Sequence, residues 1–327
     1  MKRRQFIKSG LAATGSFIVS SPFHTFCSDS QIDQISRVVV ARNPLLQPIQ
    51  YQIDTDVLVS LLDSAMQTYF KKDDVLEAWA KIAQPGEVIG LKVNCLSGPG
   101  GTHPELVDAI CERLLQVGVQ AQDIIIWDRL NEDLENGGFK VIYRGNKIKC
   151  FGNDFAGFSS DFEIFGSAAS LISKTMTEIC DGVINLPVLK DHGIAGVTMS
   201  MKNMFGAIHN PNKYHLNVGD PYIADVNMLS SIRNKSRFTI CDVINSQYEG
   251  GPSHMPHWTW PYNGLLIGRD PVALDYLGWQ LIEAERQKNN YKALKEVGRE
   301  PSYISTAADK NHKLGTNNPD RMEVIYL

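Results

Sequence analysis

Residues 87–128 read EVIGLKVNCLSGPGGTHPELVDAICERLLQVGVQAQDIIIWD, and this stretch decides the fold class. Glu87–Asn94 is an apolar run of strand length, and Asp123–Asp128 is a second one. Between them, Pro104–Val117 has apolar residues at helical spacing, with a proline at its first position and a glycine after its last turn. A strand, a helix and a strand in this order are typical of the βαβ unit of a parallel sheet.

The same alternation continues on both sides of this unit. Further strands are predicted at Arg37–Ala41, Gly182–Leu186, Phe238–Val243, Leu265–Gly268 and Met322–Tyr326, and further helices at Val57–Tyr69, Lys174–Cys180, Tyr222–Arg233 and Pro271–Arg286. Residues 131–173 have a weaker pattern, which predicts a small irregular or antiparallel insertion. We therefore expect an α/β fold with a mostly parallel sheet flanked by helices. It forms either one large domain or two intimate lobes with the site between them.

The N-terminus predicts an export signal. KRRQFIK at residues 2–8 resembles the twin-arginine consensus, and the mildly apolar stretch after it is shorter than the ~20 apolar residues of a spanning helix. We assign residues 1–28 to a twin-arginine (Tat) signal peptide and residues 29–327 to the α/β domain. The expected partner is the twin-arginine translocation machinery, and the expected location is periplasmic or extracellular, with no transmembrane span in the mature chain. A lipid anchor at Cys27 is an alternative against which bulky Phe26 argues.

Composition excludes several classes of protein. The chain has a formal net charge of −4, so it lacks the basic surface expected of a nucleic-acid-binding protein. No C-x-x-C motif occurs, so no iron–sulfur cluster or structural zinc site is expected. The cysteines beyond the signal are scattered in apolar runs: Cys95, Cys111, Cys150, Cys180 and Cys241. We interpret them as small buried hydrophobes, with a disulfide as the alternative outside the cytoplasm.

Three polar loops are predicted to follow strand ends, at residues 95–103, 187–219 and 245–262. Ligands of open parallel sheets bind beyond the carboxyl ends of the strands, so we expect the three loops to converge there. The first loop is rich in glycine and leads into a helix, which suits an anionic group. It matches neither a Walker A loop nor a dinucleotide fingerprint. We assign Thr102 and His103 to cofactor or anion binding, and a plain turn capped by one of them is the alternative.

The second loop holds the strongest cluster of reactive side chains. Residues 185–215 read NLPVLKDHGIAGVTMSMKNMFGAIHNPNKYH. His192, Lys202 and His215 are the candidate catalytic residues, because histidine transfers protons and a buried lysine can bind a carboxylate or act as a nucleophile. Lys202 is also the candidate cofactor-binding residue, and a possible transition metal would be held by His192, His209 and His215. A solvated loop is the alternative, against which the apolar neighbours argue.

The third loop is less informative. His254 and His257 have a spacing that can serve a metal, and the tryptophans nearby could form one wall of a pocket or simply fill space. In the segment after it, Asp270 is predicted to cap the helix that begins at Pro271, and Asp275 could face the site one turn further on.

The chain resembles a known family in four runs. These are GLKVN at residues 90–94, THPEL at 102–106, INLPVLKDHGIAGVTMSMKNMFGAI at 184–208 and GRDPVALD at 268–275. They resemble the domain of unknown function 362 (DUF362) family over roughly residues 37–310. Members are often exported or fused to ferredoxin-like modules, and their activity is largely undefined. This chain has no ferredoxin-type cysteine cluster.

A remoter resemblance connects the chain with the lactate racemase family, which uses a nickel-pincer nucleotide. The segment around Thr102 is similar, and His192, Lys202 and His215 follow in the family's order. The resemblance implies a lysine that tethers the cofactor and a site between two lobes. The chain departs from the family at residues 127–129, where Trp-Asp-Arg stands in place of the expected histidine.

Together these observations predict an exported enzyme with a histidine and lysine site that acts on a small anionic substrate of the carboxylate type. Its chemistry would be acid/base chemistry like that of an isomerase or an oxidoreductase, with or without a metal or cofactor. The alternative is an exported accessory protein that binds a ligand or metal without catalysis.

Overall fold

A computed structural model describes residues 35–46 and 53–327. The predicted signal peptide and Cys27 lie outside the described residues. The strands are β1 (Ser36–Arg42), β2 (Ile89–Lys92), β3 (Ile124–Asp128), β4 (Lys149–Gly152), β5 (Glu163–Phe165), β6 (Ala168–Ser170), β7 (Gly182–Asn185), β8 (Val188–His192), β9 (Gly196–Thr198), β10 (Ser236–Gln247), β11 (Thr259–Gly268) and β12 (Met322–Tyr326). The helices are α1 (Thr55–Phe70), α2 (Val75–Trp79), α3 (Pro104–Gln116), α4 (Asn131–Asn136), α5 (Asn153–Ala156), α6 (Ser200–Asn203), α7 (Tyr222–Asn227), α8 (Ser230–Lys235), α9 (Pro271–Lys288) and α10 (Tyr303–Ala307).

Within these residues, ten strands form one sheet in the order β12-β1-β11-β10-β7-β2-β3-β4, with β8 and β9 attached beside β10. The run from β10 to β4 is parallel throughout, and β12 is parallel to β1. Strand β11 is antiparallel to both of its neighbours. The expectation of an α/β fold with a mostly parallel sheet is confirmed. The prediction of an irregular or antiparallel insertion at residues 131–173 is correct for the separate antiparallel pair of β5 and β6 but wrong for β4, which joins the main sheet parallel to β3.

Helices cover both faces of the sheet, and β3 shows how the sequence achieves this. Ile124 and Ile126 pack in the cluster that holds α1 and α3, whereas Ile125 and Trp127 pack in the cluster that holds α7 and α10. Because successive side chains of a strand point to opposite faces, a strand covered on both sides is apolar throughout. This explains why the central strands read as continuous apolar runs.

The predicted loop at residues 187–219 is wrong in its first half. Val188–His192 forms β8, which pairs in parallel with β10 and antiparallel with β9, and a short helix follows at Ser200–Asn203. The strand shows no alternation because all five of its residues are buried, including three with charged or polar side chains. Polar side chains in a buried strand must find partners there, so this departure from the pattern marks the site.

Two other boundaries differ from expectation. The predicted helix Tyr222–Arg233 is split into α7 and α8, because Leu229 between them has extended backbone angles. The predicted strands Phe238–Val243 and Leu265–Gly268 are longer, since β10 and β11 form an antiparallel hairpin with an irregularity after Val243. The third predicted loop is correspondingly shorter.

All five cysteines beyond the signal are buried and unpaired in the described part of the chain. Burial raises the pKa of each thiol, which keeps it protonated and unreactive. The interpretation of these residues as small hydrophobes is confirmed. As to membranes, none of the described helices combines the length and the apolar composition needed to cross one.

The predicted cap of α9 is confirmed and gives a test of the fold. The carboxylate of Asp270 accepts hydrogen bonds from the amides of Val272 and Ala273, at 2.8 and 2.9 Å, and from the Thr316 amide at 2.9 Å. Asp270→Ala is expected to lower the free energy of unfolding by about 2 kcal/mol or more. It removes the cap of α9 and leaves the Thr316 amide without its hydrogen-bond acceptor.

Urea denaturation measures this loss. The matched control is Asp54→Ala, which removes the exposed cap of α1 and is expected to cost only about 1 kcal/mol. Equal losses in the two variants would contradict the role given to Asp270.

Candidate functional site

An open cleft with a cavity volume of about 390 Å³ lies beyond the carboxyl ends of β2, β3 and β8, and we call it the central cleft. Its position agrees with the rule that ligands of open parallel sheets bind at strand ends. Many of its lining side chains can carry charge: Lys92, Asp128, Arg129, Asp133, Lys190, His192, Lys202 and His215.

The floor of the cleft is a buried ion pair between Lys92 and Asp128. The Lys92 Nζ donates to Asp128 Oδ1 at 2.7 Å and to the Val93 carbonyl at 2.6 Å. The second oxygen of Asp128 accepts from the Cys95 amide at 2.7 Å. Both groups therefore have their hydrogen-bonding capacity engaged within the protein. The pair adds no net charge to the cleft, and it fixes the ends of β2 and β3 relative to each other.

Lys190 is a buried amine on β8. Its Nζ donates to Ser97 Oγ at 2.6 Å and to Asn94 Oδ1 at 3.1 Å, so its hydrogen-bond partners are neutral. Within the described residues, no carboxylate lies within ion-pair distance of it. Burial lowers the pKa of Lys190 to about 8.

Lys202 is a second buried amine, held by the short helix α6. Its Nζ lies 2.9 Å from His215 Nε2 and 4.0 Å from the centroid of the Phe205 ring. Here too, the part of the chain that the structure describes supplies no carboxylate within ion-pair distance. Burial, followed by the positive charge of Lys190, lowers the pKa of Lys202 to about 7. The amine therefore gains and loses its proton near neutrality.

His192 is fixed in one tautomer. Its Nδ1 accepts hydrogen bonds from the amides of Ile194 and Ala195, each at 3.1 Å, so the neutral ring carries its proton on Nε2. A second proton on Nδ1 would face these two donors. Burial, followed by the charge of Lys202, lowers the pKa of His192 to about 2. His192 is therefore a neutral hydrogen-bond donor in the cleft.

His215 stacks on His192, with 5.4 Å between the ring centroids. Its Nδ1 faces the Asn212 carbonyl at 3.3 Å, which assigns the ring proton to Nδ1 and leaves the Nε2 lone pair for Lys202. Burial, followed by the charge of Lys202, lowers the pKa of His215. The amine and the ring form a coupled pair in which one proton can be exchanged.

Two buried carboxylates position these groups without entering the cleft. Asp191, next to Lys190 on β8, binds Arg299 Nη1 at 2.9 Å and the Gly251 amide at 2.7 Å. Asp275 accepts from the Ser200 amide at 2.7 Å and so caps α6, the helix that carries Lys202. Burial raises the pKa of Asp275 to about 7. The sequence suggested that Asp275 could face the site, but it does not line the cleft. It lies beneath α6 and supports that helix.

The structure brings His192, Lys202 and His215 together, as the sequence suggested, but it separates His209 from them. The His209 ring packs edge-on against Phe158, with 5.1 Å between centroids, and does not line the cleft. Among the residues described, no group of three histidine, cysteine or acidic side chains is placed to hold a metal ion. The three histidines proposed as metal ligands do not form a common site.

Thr102 and His103 support the first loop from outside the central cleft. The Thr102 hydroxyl donates to the Leu186 carbonyl at 2.7 Å and accepts from the Asn94 amide at 2.9 Å. His103 binds Asp242 through its amide and its Nδ1, at 2.8 and 2.7 Å. Burial lowers the pKa of His103, but the charge and the hydrogen bond of Asp242 together raise it by a larger amount. The net shift of the His103 pKa is therefore upward. Both residues engage protein groups, and neither lines the central cleft.

The third loop contributes little to the cleft. Trp258 donates to the Tyr291 hydroxyl at 2.7 Å, and Trp260 is buried in the cluster beneath α9. His254 lines a separate, much smaller pocket together with His103. For the tryptophans, the packing interpretation fits the structure.

Three further residues of the cleft were not singled out from the sequence. They are Arg129, Asn94 and Asn203. Lys190 also lines the cleft, and no role was predicted for it from the sequence. Asn94 and Asn203 hydrogen-bond each other at 2.9 Å and connect Lys190 to the floor. Two of these residues had a sequence signal of a ligand site, which is a polar side chain near the end of a buried strand. Asn94 lies two residues after β2, and Arg129 follows β3 directly.

The side chains do not fit a nickel-pincer cofactor. The His192 Nδ1 lone pair is occupied by two backbone amides, and the His215 Nε2 lone pair faces Lys202. The position that carries a histidine in the lactate racemase family lies here at the end of β3, where Asp128 is paired with Lys92. The proposed chemistry of this chain therefore involves only its own side chains and not a nickel-pincer cofactor.

The family model described as "Domain of unknown function (DUF362)" matches residues 89–280. A relative from Synechocystis sp., described as a thylakoid-associated protein, is 26% identical over 229 residues, which cover 64% of this chain and 67% of the relative.

Two solved structures are similar at a greater distance. A protein from Thermotoga maritima has a TM-score of 0.41 and 10% identity, over 72% of this chain and 59% of its own. The lactate racemase apoprotein from Thermoanaerobacterium thermosaccharolyticum has a TM-score of 0.41 and 15% identity, over 73% of this chain and 55% of its own. This chain thus spans less than two thirds of either solved chain.

Proposed function

This chain belongs to the DUF362 family of domains of unknown function, and we propose its activity from the chemistry of the central cleft. We propose that it is an enzyme that binds a small carboxylate in the cleft and moves a proton on it through the Lys202–His215 pair. The observation that carries the proposal is that two buried amines, Lys190 and Lys202, line one cleft without a carboxylate partner in the described part of the chain.

The charge of the cleft supports an anionic ligand. Lys190, Lys202 and Arg129 contribute positive charge against one carboxylate, Asp133, and the Lys92–Asp128 pair cancels itself. Burying a charge without a partner costs several kcal/mol, and a bound anion offsets that cost. A carboxylate would supply the missing partner for both amines and would raise their pKa values on binding.

The Lys202–His215 pair supports proton transfer. An ammonium that donates to a neutral imidazole 2.9 Å away can pass its proton when either group meets substrate. His192 adds a fixed Nε2–H donor, which suits an oxygen that gains negative charge during the reaction. A ligand-binding protein without catalysis would need the amines but would not need this coupled pair.

The first experiment is calorimetric titration with acetate, lactate, pyruvate and malonate. Lys190→Met is expected to weaken binding by at least about tenfold, because it removes a charge-assisted hydrogen bond of roughly 1.5–3 kcal/mol. The control is Lys295→Met, which removes an amine whose side chain is 75% exposed and should leave affinity unchanged. Equal weakening in both variants, or no binding by the wild type, would refute a carboxylate site.

Turnover is tested separately in heavy water. Nuclear magnetic resonance would follow the exchange of the most acidic carbon-bound hydrogens of each acid, which lie on C2 in acetate, lactate and malonate and on C3 in pyruvate. Exchange supports the enzyme. Binding without exchange or product favours the accessory protein that holds its ligand without catalysis.

We also propose that the protein is exported by the twin-arginine route, on the strength of residues 2–8. Changing Arg3 and Arg4 together to lysine is expected to leave the protein in the cytoplasm, as measured by fractionation of cells. Unchanged export of the double variant would contradict this route.

A further inference from the structure

We propose that Lys202 is a nucleophile whose Nζ condenses with the carbonyl carbon of a 2-oxo acid to form an imine. This inference rests on the proposed function and deepens it, because it names the class of carboxylate that the cleft takes. Two features of the cleft support it: the surroundings of the Lys202 amine, and the neighbouring side chains that can accept and return its proton.

The amine of Lys202 is placed to react. It lines the cleft, is 8% exposed, and lies against the face of the Phe205 ring at 4.0 Å. A lysine held by a carboxylate stays protonated and serves as a counterion, whereas one that is desolvated beside another cation is activated as a nucleophile. Lys202 has the second environment, since burial and the charge of Lys190 both favour its neutral form.

Other amines of the cleft have more protein partners. The Nζ of Lys92 donates to Asp128, to the Val93 carbonyl and, at 3.4 Å, to Asn203 Oδ1. The Nζ of Lys190 donates to Ser97 and Asn94, which leaves one of its three N–H groups for a ligand. Lys202, by contrast, has a single hydrogen-bond partner among the described residues, and that partner is a base.

His215 supplies the proton transfers that the condensation needs. Its Nε2 accepts a proton from the Lys202 ammonium at 2.9 Å, which leaves a neutral amine with its lone pair. The lone pair forms a bond to the carbonyl carbon, and one proton passes from the attacking nitrogen to the carbonyl oxygen, which becomes the hydroxyl of a carbinolamine. His215 then returns its proton to that hydroxyl, the carbon–oxygen bond breaks and water leaves. One amine and one carbonyl thus give one imine and one water, without any oxidant or reductant.

The neighbours of Lys202 favour a carbonyl that lies next to a carboxylate. Lys190 lines the same cleft as Lys202, so it can bind the carboxylate of an acid whose carbonyl carbon meets Lys202. His192 presents an Nε2–H that can donate to the carbonyl oxygen. A 2-oxo acid places both oxygen functions within this short span.

The test is reductive trapping. The full-length protein is incubated with glyoxylate, pyruvate, 2-oxobutanoate or 2-oxoglutarate and sodium cyanoborohydride, and adducts are located by intact mass and peptide mapping. We expect one adduct on Lys202 with at least one of these acids and none with lactate, which has no carbonyl. Lys202→Arg keeps the charge but cannot form the imine, so it should lose the adduct, whereas Lys295→Met should keep it.

A second variant tests the role of His215. His215→Gln retains the nucleophile and is expected to slow trapping by about 10²-fold, because it removes the proton carrier. If Lys202→Arg does not fold, as judged by circular dichroism, the site of the adduct in the wild type still decides the question.

An adduct spread evenly over exposed lysines, or no adduct with any of the four acids, would overturn the inference. The calorimetric titration separates the two levels of the argument. If carboxylates bind in a way that depends on Lys190 but no adduct is trapped, imine formation is contradicted and the proposed function is still supported. If no carboxylate binds at all, both proposals are contradicted.

Discussion

Replacing Lys202 with methionine is expected to slow proton exchange on a bound carboxylate by about 10²–10⁴-fold, the usual contribution of a positioned acid or base. Methionine has nearly the length of the lysine stem and keeps the contact with Phe205, so the packing of α6 should persist. What disappears is the proton that Lys202 shares with His215 across 2.9 Å. The measurement is the initial rate of deuterium incorporation at saturating acid.

The matched control is Lys213→Met. Lys213 lies in the same segment and binds the Ala169 carbonyl at 2.8 Å, but it does not line the central cleft. Its removal should change the rate by less than about threefold, a difference below 1 kcal/mol. If the two variants exchanged at the same rate, Lys202 would have no part in proton transfer.

The second large effect concerns stability and pH. Burial places the pKa of Lys202 at about 7 in the folded protein, against an ordinary value of 10.5. Between these values the unfolded chain binds a proton that the folded protein has lost, so stability rises with pH through this window. Below about pH 7 both states are protonated, and the buried charge exerts its full cost. We therefore expect the wild type to gain about 2 kcal/mol relative to Lys202→Met between roughly pH 7 and pH 9.

Comparison with the variant isolates this contribution. His192 and His215 face the amine with pKa values below their ordinary range, and Lys190 titrates at about 8. Asp275, beneath α6, has a pKa raised to about 7 and acts in the opposite direction. All of them are present in both proteins. Removing Lys202 also removes its charge from His192 and His215, and because both rings titrate below about pH 7, the comparison is made between pH 7 and pH 9. Parallel curves of unfolding free energy against pH would show that Lys202 has an ordinary pKa.

The sequence was sufficient to predict seven of the ten strands of the sheet and the longer flanking helices, because local patterns determine these elements. Pro104–Gln116 begins and ends within one residue of the expected helix, and the last strand, Met322–Tyr326, matches its prediction. The pattern failed at β8, where Val188–His192 lies between other strands and has no exposed face. Alternation of polar and apolar residues is informative only for elements with one face in water.

The candidate site was predicted in part for a similar reason. His192, Lys202 and His215 are near one another in sequence, so their convergence could be expected from composition. The connection of Lys190 with Asn94 joins residues 96 positions apart and depends on strand order, which the sequence alone does not reveal. Thr102 was expected to bind a ligand. Its hydroxyl donates instead to the Leu186 carbonyl at 2.7 Å, a contact that depends on how two distant segments pack together.

We infer that Lys202, an amine with no counterion among the described residues, binds a carboxylate. The most direct test of this inference is nuclear magnetic resonance of protein labelled with ¹³C at the lysine ε-carbons, titrated through the neutral range with and without acetate or lactate, neither of which can form an imine. We predict one resonance that titrates near pH 7, is absent from Lys202→Met, and shifts to a higher pKa when the acid binds. If every lysine outside Lys190 titrated near its ordinary value, or if the acid left the Lys202 resonance unchanged, the account would be contradicted.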